Sequence, residues 1–406
     1  MRMAIVFGLN QVVSHGFGLF LFAAIVPLMR ESIAISHWHL ALAGGMTQIA
    51  YLGGAMLLGL VGHRLQTATL ALATGTVSTL MLFTMSQLQN PLVIIVTLVC
   101  LSTSAAISWG AIVEIVSRCA LPHKRSTYLS CVSSGTAWGY ALSGQLLLWV
   151  VPTWGWESSW IDAGLMGTLV VGLTWWMLRG LTTPVSGPTD GGVTAIPARR
   201  LLRTILTERT AILSCLICFL VGFSTMPFSN WLNSYLEELG LPATLGGYCW
   251  SIVGITGMAA GFIIGKLADW KGHANALLII FVCFALGLVA FAYAPANTAL
   301  LASFGYGLMY FPMWGIVAGW VNRHYSSTAT MQIGGFCMVT FGLGGTLGNL
   351  LTGWLRGYTG SLQVSYTMMA CVALLLTGLG MYIKCTEKKQ HLDEGVSNTV
   401  NQVHPT

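Results

Sequence analysis

The sequence predicts an all-α membrane protein whose twelve transmembrane helices form two six-helix bundles with pseudo-two-fold symmetry. Three observations support this prediction: an apolar composition, twelve apolar stretches long enough to cross a bilayer, and motifs that recur at a nearly constant spacing. Of the 406 residues, 55% are hydrophobic and only 7% are charged, whereas soluble proteins contain roughly 25% charged residues. The composition excludes a water-soluble domain, and the 48 glycines and 15 tryptophans are typical of helices in a bilayer.

The apolar stretches define the spans, because a transmembrane helix needs about 20 mostly apolar residues. Twelve stretches meet this length, at approximately 4–28, 39–61, 67–86, 92–117, 127–151, 160–178, 209–233, 244–265, 275–293, 298–321, 331–355 and 363–384. The first has no A-x-A cleavage site and eleven spans follow it, so we interpret it as a span rather than a signal peptide. The ten cysteines show no disulfide or zinc spacing, and we interpret them as core residues.

A polar segment separates the first six spans from the last six. Residues 179–208 are rich in proline and glycine and end in a basic stretch with Arg199, Arg200 and Arg203. The predicted organisation is therefore an N-terminal six-helix bundle at 1–178, a cytoplasmic linker at 179–208, a C-terminal six-helix bundle at 209–384 and a cytoplasmic tail at 385–406.

The positive charges predict the orientation. With twelve spans both termini lie on one side, and of the 18 lysines and arginines all but Arg30 and Arg356 fall on that side. Basic residues are concentrated in cytoplasmic loops. We therefore expect a multi-pass protein of the cell inner membrane with both termini and the linker in the cytoplasm.

The two halves of the sequence also repeat each other. Residues 59–64 (GLVGHR) close the second span and residues 265–271 (GKLADWK) close the eighth, 206 positions later, while Arg118 and Arg323 end the fourth and tenth spans. The glycines of the fifth span recur in the eleventh at an offset of 209, as Gly135, Gly139, Gly144 and Gly344, Gly348, Gly353. Repeats of this kind place a solute site near the bilayer midplane, between the halves.

These motifs resemble those of the major facilitator superfamily over essentially the whole chain. Residues 265–272 are similar to the signature loop between the second and third spans of each half, although the N-terminal copy has His63 where the family has aspartate. Glu114 and Arg118 resemble the acidic-then-basic end of the fourth span, and Pro27 ends the first span as in many members.

Within the superfamily, residues 135–144 and 154–160 are most similar to a poorly characterised bacterial branch. The resemblance implies secondary active transport, in which the two bundles rock about a central cavity and expose it to alternate faces of the membrane. It also implies that the first, fourth, seventh and tenth spans line that cavity.

Charged residues at the cytoplasmic ends of the spans are candidate gating residues, and they are Arg64, Glu114, Arg118, Lys266 and Asp269. Asp269 could cap a helix N-terminus or pair with a cation and so hold one conformation, and Glu114 and Arg118 stand i,i+4 on one helix face. The alternative is that these charges only anchor helix ends at the lipid headgroups.

His15 is the candidate proton-coupling residue. All twelve acidic residues lie at, near or beyond the span ends, whereas His15 stands near the centre of the first span. Histidine is the side chain that changes charge nearest neutral pH, and ionisable groups inside a membrane are by default candidates for function. The alternative is a neutral histidine satisfied by hydrogen bonds.

Polar and aromatic side chains at mid-depth form the candidate substrate site. The tenth span carries three aromatic residues at i+4 steps, on one helix face, and the other cavity spans and the second span add amides, hydroxyls and rings. The set is Gln11, His15, Gln48, Tyr51, Ser108, Trp109, Asn230, Tyr306, Tyr310 and Trp314. The alternative is that the aromatic residues only pack helix against helix or face lipid.

A lining without charge favours a small neutral, zwitterionic or amphipathic organic solute held by stacking and hydrogen bonds. We expect a transporter, with protons as the candidate coupling ion; importers of metal-chelating, siderophore-like metabolites and drug or metabolite exporters stay open. Against an exporter, Tyr140 follows Gly139 where family exporters often have proline. A non-transporting receptor or sensor is the alternative of another class.

The remaining expectations concern chemistry and partners. The loops carry too few acids for a metal site or a catalytic constellation, and no G-x-x-x-x-G-K-[ST] loop is present. We therefore expect no enzyme activity, catalytic residue, metal or cofactor. The expected partners are the substrate and the lipid bilayer, with no nucleic acid, and we expect the protein to be a monomer.

Overall fold

The computed structural model describes residues 2–61, 65–119, 125–180, 198–325 and 327–403, which are almost entirely helical. Twelve long helices follow one another. They are α1 (Arg2–Met29), α2 (His37–Val61), α3 (Thr67–Met85), α4 (Pro91–Cys119), α5 (Arg125–Gln145 with its continuations Leu146–Val150 and Val151–Trp154), α6 (Trp156–Arg179), α7 (Arg209–Glu238), α8 (Ala243–Lys271), α9 (His273–Tyr293), α10 (Pro295–Asn322), α11 (Ser327–Thr359) and α12 (Gln363–Val403). The chain reverses after each helix, so both termini lie at one end of the molecule. We call this end the terminal face and the opposite end the distal face.

The helices confirm the predicted fold class. Each predicted span coincides with one of them, and in the described residues eleven are long and apolar enough to cross a membrane. The twelfth is α5, which is interrupted by a π-helical segment at Leu146–Val150 and whose first part is rich in serine and glycine. Its packing in the bundle, rather than its apolarity, identifies it as a span.

Two predicted segments outside the spans contain helix. Residues 181–197 of the linker lie outside the described residues, but Ala198–Thr207 is a helix. At the other end, α12 continues to Val403 and so includes most of the predicted tail. Apolar windows detect the membrane part of a helix, and residues 385–403 contain no proline that would end it.

The contacts among the helices define two bundles. Helices α1 to α6 pack on one another, as do α7 to α12, and the bundles meet where α2 packs on α11 and α5 packs on α8. The distal end of α1 also contacts α7. The space between the bundles is therefore bordered by equivalent helices of each half.

The repeated glycines occupy equivalent places in this arrangement. In α5, Gly139 meets the backbone of Gly16 in α1, and in α11 its counterpart Gly348 meets the backbone of Phe223 in α7. A side chain at either position would overlap the facing helix, and small residues are what allow such close helix packing. The 209-residue offset therefore has a structural cause, because both copies need glycine at the same helix contact.

Candidate substrate site between the two bundles

The centre of α1 departs from α-helical geometry. Residues Val12–Leu21 form a π-helical segment that includes His15, and the backbone of Gly16 in the same segment lies against α5. Segments of π-helix are frequent at functional sites, since the wider turn re-aims side chains. His15 is buried at mid-depth, where its ring lies near α2 and α4.

Both ring nitrogens of His15 have hydrogen-bond partners. Nδ1 lies 3.1 Å from the Ser14 hydroxyl and Nε2 lies 3.0 Å from the Tyr51 hydroxyl. Because Ser14 donates its own proton to the Asn10 carbonyl at 2.8 Å, it can only accept from His15. A neutral His15 in this network carries its proton on Nδ1 and accepts the Tyr51 hydroxyl proton at Nε2.

Two residues of α4, Trp109 and Ser108, lie beside His15 and its hydrogen-bond partners. The His15 ring centroid is 6.3 Å from that of Trp109 and 5.7 Å from that of Tyr51, both with edge-on geometry. The Ser108 hydroxyl donates to the Asn10 side-chain carbonyl at 3.0 Å. We call His15, Tyr51 and Trp109 the histidine cluster.

The aromatic residues of α10 form a second cluster in the other bundle. The rings of Tyr306 and Tyr310 stack with centroids 5.1 Å apart. One turn further along α10, Trp314 contacts Phe341 of α11 edge-on at 5.0 Å. The i+4 spacing thus aligns the three rings along α10, where Tyr306 stacks on Phe228 of α7 at 5.0 Å and the other two rings contact Phe341 of α11.

Tyr140 connects the two bundles at the same depth. Its hydroxyl lies 3.1 Å from that of Tyr306, and its ring stacks on Trp250 of α8 at 4.8 Å. The same ring lies 4.3 Å from that of Phe20 in α1. The hydrogen bond between Tyr140 and Tyr306 is a buried polar contact between the halves.

The histidine cluster and the α10 aromatics border a common region. The Tyr310 hydroxyl is within electrostatic range of that of Tyr51, although the two lie on different bundles. Tyr51, Trp109, Tyr310 and Trp314 are all partly exposed at mid-depth. Among the described residues no lysine, arginine, aspartate or glutamate lies at this depth, so rings, hydroxyls and amides make up the polar surface.

The three amides of the predicted site are dispersed. Gln11 is buried on the α5 side of α1, with its Nε2 unpartnered, and Gln48 lies against Gly345 of α11. Asn230 is nearer the distal face, where it donates to the Asn349 side chain at 3.0 Å. The structure therefore places Gln48 and Asn230 at contacts between helices and Gln11 beside α5.

Amide side chains close the space towards the distal face. Asn349 accepts hydrogen bonds from Asn230 and, at 3.2 Å, from the Trp231 indole. The backbone of Gly44 in α2 packs against the side chains of Asn230 and Asn349. A side chain on Gly44 would overlap them. At the neighbouring contact, Asn233 donates to the carbonyl of Ala24 in α1.

Ion pairs reinforce the distal face. Arg30, after α1, lies 3.1 Å from Glu237 at the end of α7, which ties the two bundles together. Arg356 of α11 lies 2.7 Å from Glu238, which also accepts the backbone N–H of Leu362 at 2.9 Å. The two basic residues that depart from the predicted charge bias are thus both paired with acids at the end of α7.

The predicted gating residues lie towards the terminal face. Glu114 and Arg118 form the i,i+4 ion pair that their spacing allows. Lys266 and Asp269 are exposed near the end of α8 and take part in none of the ion pairs that the structure describes; Arg64 lies outside the described residues. Asp269 is within electrostatic range of His273.

Sequence reasoning missed several residues at the bundle contacts, among them Tyr140, Trp250, Asn233 and Asn349. A signal for two of them was available. Tyr140 follows Gly139 and Asn349 follows Gly348, so the repeat places these two polar side chains at equivalent positions beside the glycines that bring the helices together.

Comparison with known proteins identifies the family of this chain and several relatives. A family model described as Major Facilitator Superfamily matches residues 11–334. Two relatives from Bacillus subtilis (strain 168) are similar. One is described as the niacin/nicotinamide transporter NiaP, 22% identical over 285 residues, or 68% of each chain. The other is a hexuronate transporter, 24% identical over 278 residues, or 62% of this chain and 64% of that protein.

Solved structures of a nucleoside transporter, NupG, have the same fold. One crystal structure covers 94% of this chain and 98% of its own at a TM-score of 0.72 and 17% sequence identity. A mutant of the same transporter gives a TM-score of 0.73 at 16% identity and the same coverage. At this level of identity the likeness concerns the fold.

Proposed function

Because the chain belongs to the Major Facilitator Superfamily, a family of transporters, we propose that it is a secondary active transporter of a small uncharged or zwitterionic organic solute that carries a planar ring. The observation that supports this substrate class is the uncharged, ring-lined region between the histidine cluster and the α10 aromatics. Rings with a polar edge bind flat organic solutes by stacking, and a few hydrogen bonds fix their orientation.

The absence of charge at this depth among the described residues argues against a strongly anionic substrate. A buried anion without a cationic partner costs several kcal/mol, and neither the histidine cluster nor the α10 aromatics contains lysine or arginine. The names of similar transporters mention niacin or nicotinamide, hexuronate and nucleosides. Of these classes, uncharged ring compounds fit the site best.

We propose that the terminal face is cytoplasmic, on the basis of the excess of basic residues there. The polar contacts described between the bundles lie at mid-depth or towards the distal face, such as the Arg30–Glu237 ion pair. With this orientation the conformation is closed to the outside. Transport would require these distal contacts to separate while the terminal ends of the bundles approach each other.

We also propose that His15 couples protons to transport through Tyr51. In the neutral form, the Tyr51 hydroxyl donates to Nε2 of His15. Protonation makes Nε2 a donor, so Tyr51 must accept from it and turn its own proton towards another acceptor. A substrate carbonyl or ring nitrogen beside Tyr51 would be that acceptor, which links protonation to binding.

The proposed function is tested by ligand screening followed by flux measurement. Purified protein is screened for thermal stabilisation by uncharged, zwitterionic and anionic ring compounds, since a ligand that binds the folded state raises its apparent stability. Hits are then tested for uptake into proteoliposomes. We expect stabilisation by uncharged ring compounds, uptake of the same compounds, and loss of both in Trp109→Ala.

A matched control is Trp176→Ala, which removes an exposed tryptophan from the outer face of α6 and should leave binding and uptake intact. Stabilisation without uptake would favour the receptor alternative. Preference for anionic compounds would contradict the proposed substrate class, and loss of uptake in both variants would show that Trp109 has no special role.

A further inference from the structure

A groove on the outer wall of the N-terminal bundle is separate from the proposed transport site. It lies between α1, α5 and α6, has a volume of about 240 Å³, and its wall includes Phe17, Leu142, Leu146 and Met166. The π-helical segment Leu146–Val150 of α5 borders it, and the wider turn of that segment displaces the helix surface. We propose that this groove binds an ethanolamine phospholipid of the distal leaflet.

The first argument concerns the single acidic residue of the groove. Asp162 of α6 belongs to the groove wall and is exposed on the same stripe of the helix as Leu165 and Leu169, the stripe that faces lipid. Within the described part of the chain it takes part in no ion pair. A carboxylate placed against lipid is costly unless it is paired, so the position calls for a cation from the surroundings.

The second argument concerns depth. Asp162 stands six residues after the first residue of α6, which corresponds to about 9 Å along the helix axis. Trp149 of α5, 72% exposed, stands at a similar distance from the distal end of its helix. Exposed tryptophans are enriched at the level of the lipid headgroups, so the carboxylate lies where a headgroup amine can reach it.

The third argument concerns the kind of headgroup. An ethanolamine headgroup carries a primary ammonium with N–H donors that can form a charge-assisted hydrogen bond to a carboxylate, whereas the choline headgroup has no N–H to donate. The apolar wall formed by Phe17, Leu142 and Leu146 suits an acyl chain. An amine linked to acyl chains therefore matches the acid and the apolar surface together.

The groove is also structurally connected to the contact between the bundles. In its wall, the Gln145 side chain accepts from the Trp149 indole at 3.0 Å and donates to the Ser251 hydroxyl of α8 at 2.9 Å. A lipid against Trp149 therefore lies one side chain away from the α5–α8 contact.

Native mass spectrometry of the full-length purified protein tests the proposal. Phosphatidylethanolamine, phosphatidylcholine and phosphatidylglycerol with identical acyl chains are titrated separately. We expect the wild type to prefer phosphatidylethanolamine and Asp162→Asn to bind it about ten-fold more weakly, the size expected for loss of one charge-assisted hydrogen bond. Glu157→Gln, which changes an acid of the same helix outside the groove wall, should bind as the wild type does.

A second variant keeps the test decisive if Asp162→Asn does not fold. Leu142→Trp fills the groove without changing charge and is expected to weaken phosphatidylethanolamine binding to a similar degree. Equal binding of the ethanolamine and choline lipids by the wild type would overturn the proposal, because the headgroup would then not be recognised. Preference for phosphatidylglycerol, or unchanged binding in both groove variants, would overturn it as well.

Discussion

At the scale of single residues, the hydrogen-bond partners of His15 determine which ring nitrogen carries the proton when the side chain is neutral. Ser14 donates its hydroxyl proton to the Asn10 carbonyl, and the Tyr51 hydroxyl can donate to Nε2 of His15. Both ring nitrogens of a neutral His15 are therefore satisfied when its proton is on Nδ1. The sequence indicated the residue type and its depth. It could not indicate Tyr51 as the partner, because the pairing depends on how α1 and α2 are rotated against each other.

His15→Gln tests the proposed coupling. Glutamine keeps hydrogen-bonding groups but does not titrate, so we expect the variant to exchange substrate across proteoliposomes of equal internal and external pH. We expect it to lose the accumulation that a pH gradient drives in the wild type. Both quantities are measured as radiolabelled substrate counterflow and gradient-driven uptake.

The control for this experiment is His324→Gln, which replaces an exposed histidine just after α10 at the terminal face. This variant should retain both exchange and gradient-driven accumulation. Gradient-driven accumulation that persists in His15→Gln would mean that protons move through another group, and His15 would then be a neutral hydrogen-bonding residue.

At the scale of helices, the positions of the spans could be predicted from sequence but their ends could not. Apolar stretches locate the part of a helix that crosses lipid, and each coincided with one helix. A helix continues beyond lipid wherever nothing stops it, as α12 does to Val403. The π-helical segment of α1 also has no signature in the apolar pattern.

Two glycines of the repeat are expected to be essential for helix packing. Alanine at Gly139 would place its methyl group inside the backbone of Gly16, and alanine at Gly348 would press on the backbone of Phe223. Overpacking of this kind typically costs about 1–3 kcal/mol. We expect Gly139→Ala and Gly348→Ala each to lower the thermal unfolding temperature of the purified protein.

The matched control is Gly172→Ala in α6, where an added methyl group meets open space. In a helix interior alanine is favoured over glycine by roughly 0.5–1 kcal/mol, so this variant should unfold at or slightly above the wild-type temperature. Equal unfolding temperatures for all three variants would show that the helices move apart freely, and the structural reason for the glycine repeat would be lost.

At the scale of the whole molecule, the recurring motifs predicted two related bundles, and the structure confirms this architecture. The sequence did not reveal which end is closed. That depends on side chains far apart in the chain, such as Arg30 with Glu237 and Gly44 with Asn349, and no periodicity records such pairs. One clue was present: Arg30 and Arg356 are the two basic residues on the distal side, and both are paired with acids there.

The two neighbouring ion pairs of the distal face allow a test of the closed conformation. Arg30–Glu237 joins the two bundles, whereas Arg356–Glu238 joins α11 to α7 within one bundle. Glu237→Gln should therefore favour separation of the bundles at the distal face, while Glu238→Gln should leave their separation unchanged. The Arg30–Glu237 pair is partly exposed, so its contribution is at most about 1 kcal/mol, which corresponds to a shift in populations of about five-fold.

Spin-label distances across the distal ends of α1 and α7 measure this shift directly. We expect Glu237→Gln to increase the population of long distances, and Arg30→Glu combined with Glu237→Arg to reverse most of that increase, because the exchanged charges attract each other again. Equal shifts in Glu237→Gln and Glu238→Gln would instead indicate a general loosening of α7. The closed distal face would then depend on the partly buried asparagine contacts at Gly44, which lie deeper, rather than on the ion pair.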